Sequence, residues 1–199
     1  MCSIMCKKYL KYAGIALVVF LLIVAMQPSE YKVERSLTIN ATTRVLFTQA
    51  NNFRRWQMWS PWAKIDPKAK MTFEGAPWGE GAIMRWDGNR EVGKGSMEIT
   101  KSSPNRAIQY KLVFLSPMKG EATSEFTFTP VPKGGTKVTW SMSGKNGFFG
   151  KLMGLALNCE KMIGDKYEEG LANLKKVVEA APTAQEPAAE EHFQGVSKR

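Results

Sequence analysis

An α+β fold is predicted: a curved seven-stranded antiparallel sheet wrapped on one long C-terminal helix, with two short helices after the first strand. A transmembrane helix is expected ahead of it. Three observations predict this. Seven segments alternate apolar and polar residues with period two, and short turn-rich links separate them. One amphipathic helical stripe follows them, over residues 148–180. An uncharged apolar run, residues 12–26, precedes them.

The N-terminal run reads KKYLKYAGIALVVFLLIVAMQPS at 7–29. Extended back to Tyr9, it gives 18 residues with Lys11 as the sole charge. A helix of that length spans about 27 Å, close to a hydrocarbon core of about 30 Å. A cleaved signal peptide is the rival reading, but the exit Ala25-Met26-Gln27-Pro28 has no A-x-A pattern. Lys7, Lys8 and Lys11 flank the N-terminal side. The positive-inside rule then sets the N-terminus in the cytoplasm and the domain outside it, in the periplasm if the host is bacterial. The expected divisions are a short cytoplasmic N-terminus (1–8), a transmembrane helix (9–26), a linker (27–30), one domain (31–180) and a disordered tail (181–199). The tail is rich in Ala, Pro and Glu.

Within the domain, 31–40 alternates with Val33, Leu37 and Ile39 on one face and Arg35 as the exception. ATTRVLFTQANN suits a short helix capped by Thr42 or Thr43. NNFRRWQMW suits a second, ended by Pro61. Six strands follow, at about 69–74, 82–86, 93–102, 107–114, 121–129 and 136–143. The links GAPWGEG, DGN, SPNR, SPMKG and PVPKGG carry the turn residues. The final helix carries Phe149, Leu152, Met153, Ala156, Ile163, Tyr167, Leu171, Leu174 and Val178 at spacings mostly of three or four. Gly150, Gly154, Gly164 and Gly170 dot it and allow close approach to the sheet.

Composition narrows the function. Net charge is +10, and residues 30–179 hold 23 Lys/Arg against 15 Asp/Glu, a net +8. The cations are scattered, without the Lys/Arg-rich run of a nucleic-acid arm. A solvated basic surface and a surface near anionic lipid are both compatible with that. Three cysteines at 2, 6 and 159 make no disulfide framework. Cys159 reads as a small core residue, and Cys2 and Cys6 as possible acylation sites. The lone histidine, His192, falls in the tail, so the fold offers no histidine base and no His/Cys metal set. No cofactor or metal is expected, and there is no P-loop, nucleophile elbow or dinucleotide fingerprint. Acid–base work would fall to Asp66, Glu74, Glu80, Asp87, Glu98 or Tyr110. Asp66-Pro67 and Asp87-Gly88 also read as turns.

Strand parity selects the face toward the helix. It contains Met84, Trp86, Met97, Ile99, Tyr110, Leu112, Phe126, Phe128, Trp140 and Met142, with Ile108, Phe114 and Val138. The set is bulky and Met-rich. Two readings stand: a filled core, or a cavity with adaptable walls for an apolar ligand. RWQMWSPW at 55–62 holds half of the six tryptophans. Trp56 and Trp59 share a helix face, and one or the other is expected to plug the cavity end, chiefly by packing, with Trp62 at the rim.

The chain resembles the START/Bet v 1-like (SRPBCC) superfamily, specifically its polyketide cyclase/dehydrase-like branch, over residues 31–179. The carriers are RSLTINA before the first short helix, RWQMWSPW followed by Asp66-Pro67, and WDGNREVGKGSMEI at 86–99. GGTKVTW at 134–140 and GLANLKKVVE at the helix end complete them. The resemblance implies a helix-grip fold with a deep cavity for hydrophobic ligands. The expected function is membrane-tethered binding of a lipid-like small molecule between sheet and helix. A polyketide cyclase/dehydrase-like enzyme and a protein-interaction module are the alternatives, with an enzyme the weaker expectation. Expected partners are that small molecule and the membrane, through residues 9–26, and no nucleic acid.

Overall fold

A computed structural model describes the backbone of residues 2–145, 147, 150–151 and 159–180, and the side chains of all these except 2–11 and 159. The expected tail at 181–199, the helix start at 148–158 (residues 150–151 apart) and the side chains of Cys2, Cys6 and Cys159 lie outside the described residues.

The element order is α1 (Cys2–Met26), β1 (Glu30–Ile39), α2 (Thr43–Ala50), α3 (Phe53–Trp56) and α4 (Trp62–Ile65). Then come β2 (Lys70–Gly75), β3 (Ala82–Asp87), β4 (Lys94–Ser103), β5 (Ala107–Ser116), β6 (Gly120–Pro130), β7 (Thr136–Lys145) and α5 (Cys159–Ala180). The strands form one sheet in the order β1-β7-β6-β5-β4-β3-β2. Every pairing is antiparallel, as the short links require. Register shifts at Lys94/Gly95 and Ile99/Lys101 bend β4 against β5. Glu98 stays on the outer face, opposite Lys111.

One expectation is corrected. Three short helices follow β1, not two. Pro61 does not only end the second helix: at φ −65° and ψ −29° it opens α4, since its fixed φ and missing N–H suit a helix start. Trp62 therefore lies on a helical turn rather than in a loop. Among the described residues no helix is long and apolar enough to cross a membrane. The transmembrane reading of 9–26 thus rests on hydropathy alone.

Local chemistry sets the short helices. Thr42 caps α2 by accepting from the Val45 N–H at 3.4 Å, and Asn52 caps α3 by accepting from the Arg54 N–H at 2.9 Å. Leu46, Phe47 and Ala50 of α2, with Phe53 and Trp56 of α3, turn onto the inner face of the sheet. Arg54 and Arg55 stay exposed, Arg54 lying 4.6 Å above the Phe73 ring.

The helix α5 packs on β1 and β7 through Tyr167, Leu171, Leu174 and Val178, all buried. Arg35, the exception in the β1 pattern, turns toward α5. It donates to Glu160 at 2.8 Å and to Glu168 at 2.7 Å. Gly164 leaves room for its guanidinium, which a side chain there would strike. Gly170 does the same for the core. A β-carbon on Gly170 would stand 2.7 Å from the Trp140 ring and 3.2 Å from Pro61. Gly170→Leu is therefore expected to lift α5 and cost about 1–3 kcal/mol. Urea titration checks this; an unchanged midpoint would show that the helix has slack.

Candidate functional site

The inner face divides into two halves along the strands. The half nearest the Ile39–Thr136 end is sealed. Trp140 stacks on Tyr167 at 3.9 Å and 8° and on Phe126 at 4.7 Å. Trp56 and Trp59 sit 4.7 Å apart, and both meet Phe126 and Trp140 edge-on. Ile99, Tyr110, Phe126, Phe128 and Trp140 are all buried here. Such rings gain about 0.5–1.5 kcal/mol per edge or offset pair beyond their area.

Polar tips in this half are mostly satisfied internally. Trp56 Nε1–H and the Tyr110 hydroxyl both donate to the Ala50 carbonyl, at 2.7 and 3.0 Å. Trp140 Nε1–H donates to Ser124 Oγ at 3.0 Å, and Ser124 donates on to the Ser141 carbonyl at 2.8 Å. Asn173 donates to the Trp59 carbonyl and accepts from Lys64. Trp59 Nε1 has no partner among the described residues.

The other half, toward the Glu30–Lys145 end, is less covered. Trp86 and Leu112 are half-buried, as are Phe114, Met71 and Tyr31. Met84, Met97 and Met142 are buried at the border between the halves. Cross-strand pairing places Met71, Trp86, Gly95 and Phe114 in one row. Met84, Met97, Leu112, Ala122, Gly144 and Tyr31 form the next. Small residues lower the floor: Gly95 lies under the Trp86 ring and Gly144 under Tyr31. Trp86 meets Phe114 edge-on at 6.1 Å. The result is an apolar strip with aromatic walls, three adaptable methionines at its inner limit and one hydroxyl, that of Tyr31.

Hollows occur elsewhere too. One of about 820 Å³ lies mostly on the outer face, among Lys32, Gln109, Lys111, Thr123 and Lys145. Another of about 170 Å³ lies beneath the β2–β3 hairpin by Phe53 and Phe73.

The ten expected lining residues are thus shared between a sealed half and a less covered half. Trp56 and Trp59 pack in the sealed half, with Trp62 half-buried beside Trp140 and Tyr167. Sequence reasoning passed over Tyr31 and Met71, although parity with Val33 and Phe73 places both on the inner face. It also named Phe114 as inward without counting it in the lining.

The acid–base candidates do not converge on the strip. Asp66 accepts from the Lys68 and Asn89 amides, a turn role. Glu74 pairs with Arg85, and Asp87 with Lys94, on the outer face. Glu80 is exposed in the β2–β3 hairpin. Tyr110 is sealed, and burial raises its pKa well above the ordinary 10.0, against a smaller lowering from Trp56. Burial raises Tyr167 as well, with Ser124 opposing.

These shifts have a sign. Folded, both phenols hold their protons where the unfolded chain releases them. Their contribution is fully present below about pH 10 and is lost as pH rises, by up to ~1.4 kcal/mol per pH unit for each. Denaturant midpoints are expected to be flat near pH 8 and to fall steeply above pH ~10. A flat profile to pH ~11 would contradict the burial of these hydroxyls.

The sequence model of the family described as "polyketide cyclase / dehydrase and lipid transport" matches residues 30–179. No curated protein matches the chain. Solved structures share its fold at low identity. A Mesorhizobium loti protein is 15% identical with a TM-score of 0.57, over 76% of this chain and 99% of that one. A Nitrosospira multiformis protein is 19% identical with a TM-score of 0.55, over 73% and 94%. The di-domain ARO/CYC BexL of the BE-7585A biosynthetic pathway is 14% identical with a TM-score of 0.56, over 80% of this chain and 53% of that one. Sheet order, antiparallel pairing and a C-terminal helix across the inner face make this a helix-grip fold, and the chain belongs to the polyketide cyclase/dehydrase and lipid transport family.

Proposed function

We propose that the protein binds a hydrophobic, lipid-like small molecule along the apolar strip bounded by Trp86, Phe114, Leu112, Met97, Met142 and Tyr31. The observation that carries this is the contrast within one face. The same parity that seals Tyr110 and Phe126 leaves Trp86, Leu112 and Phe114 half-buried among the described residues. Contiguous apolar surface of this kind needs a cover, and an aliphatic chain matches its polarity. The family description includes lipid transport, which supports the class of ligand. Displacement of a fluorescent fatty acid by a natural lipid extract tests it. Saturable displacement is expected; no binding to the full chain would contradict it.

A cyclase-like enzyme is the second reading, favoured by the family description and by the biosynthetic relative BexL. Among the described residues the strip has no carboxylate or imidazole, so catalysis by these residues would rest on shaping a reactive chain rather than on proton transfer by a charged base.

The proposal extends to a membrane tether. Residues 12–26 carry no charge, and most of their side chains stand exposed around α1, including Tyr12, Leu17, Phe20 and Leu22. A helix apolar all round seeks an apolar surrounding. Wild-type chain is expected to float with phospholipid vesicles, and Val18→Lys with Leu21→Lys is expected to leave it in the pellet fraction. Equal flotation of both would sink the tether and leave ligand binding standing.

A further inference from the structure

We propose that the Glu30–Lys145 end of the domain, with the β5–β6 hairpin at its tip, is a docking surface for an anionic lipid bilayer through which the strip exchanges its ligand. This rests on the ligand binding proposed above. Four observations converge on that end.

The first is where the strip lies. Its outer row, Met71–Trp86–Gly95–Phe114, is next to the sheet end at which Glu30 pairs with Lys145 and Lys94 with Ser116. The sealed aromatic half lies at the other end, beneath α2 and α3. An apolar ligand in the strip has its shorter route out past the Glu30–Lys145 end.

The second is where α1 lies. It runs into β1 at this same end, and Lys151 Nζ donates to the Ala25 carbonyl at 3.0 Å. The exposed apolar helix and the strip thus share a side of the molecule.

The third is the hairpin itself. Leu115 and Met118 are exposed by 54% and 51% at the tip joining β5 to β6. Large apolar side chains at an exposed turn gain nothing from water and are stabilised on entering an apolar phase.

The fourth is charge. Arg90, Lys119, Lys145 and Lys151 surround this end, and none has an ion pair among the described residues. Of the nearby acids, Asp66 is occupied by two backbone amides and Asp87 by Lys94. Glu30 and Glu91 offset part of the charge. Each such cation is attracted to an anionic lipid surface. Among the described residues the opposite end offers one exposed aromatic, Trp78, on the β2–β3 hairpin. It lies beyond the sealed half and away from α1, so it serves as the internal control.

The experiment is hydrogen exchange of the full chain on phosphatidylcholine vesicles, with and without phosphatidylglycerol, paired with transfer of a fluorescent phospholipid between vesicles. Protection is expected at 115–119 and 88–93 on the anionic vesicles only, and none at 76–81. Met118→Asp with Lys119→Glu is expected to slow transfer at least about tenfold while the lipid retained after purification stays unchanged. Protection at 76–81 in place of 115–119, or equal transfer by the variant, would overturn the docking surface. Retention of lipid by the variant, with transfer lost, separates this inference from ligand binding. A wild-type chain that holds no lipid overturns the exchange route, and hairpin protection then reports docking alone.

Discussion

Trp140→Ala is expected to destabilise the protein by about 3–5 kcal/mol, more than any other single truncation in the sheet. Trp140 is the hub of the sealed half. Its ring contacts Tyr167, Phe126, Trp56, Trp59 and Trp62, and its indole N–H satisfies Ser124. Removing it opens a cavity between sheet and α5 that the five other rings cannot fill without leaving their own contacts. Much of a typical domain's net stability of 5–15 kcal/mol would go with it. Urea unfolding followed by far-UV circular dichroism gives the number. A loss under about 1 kcal/mol would mean that the rings repack freely and that this half is not rigid.

Leu112→Gln is expected to weaken retention of a lipid-like ligand by about tenfold or more with only a modest loss of stability. Leu112 lies mid-strip between Met97 and Ala122 on neighbouring strands. It is half-buried, so an amide there finds water in the empty protein. Against an aliphatic chain the amide would be desolvated without a partner, at about 1–3 kcal/mol. A factor of ten corresponds to 1.4 kcal/mol. Fluorescent fatty-acid titration of both proteins checks this. Ile108→Gln serves as the contrast: Ile108 is sealed in the packed half, so that change is expected to unfold the protein rather than tune binding. Equal affinity of Leu112→Gln and wild type would move the ligand off this strip.

The sheet was legible because period-two alternation and turn residues act locally. The registers of β5, β6 and β7 follow from Tyr110, Phe126 and Trp140 all needing the same face. Depth was not legible. Trp86 and Trp140 share parity and size, yet one is half-open and the other sealed. What differs is the cover: Trp56, Trp59 and Tyr167 reach Trp140 from elements distant in sequence, and none of them reaches Trp86. Arg35 looked like a break in a strand pattern because its partners, Glu160 and Glu168, are more than a hundred residues away. Pro61 was read as a stop because a proline interrupts a helix from within, whereas here it begins the next turn.

Native mass spectrometry of the full chain, purified in mild detergent from its expression host, tests the ligand reading most directly. A population carrying one small apolar molecule is expected, released by organic extraction and reduced in Leu112→Gln. A single mass equal to the bare chain in every preparation, with no molecule recovered on extraction, would contradict it.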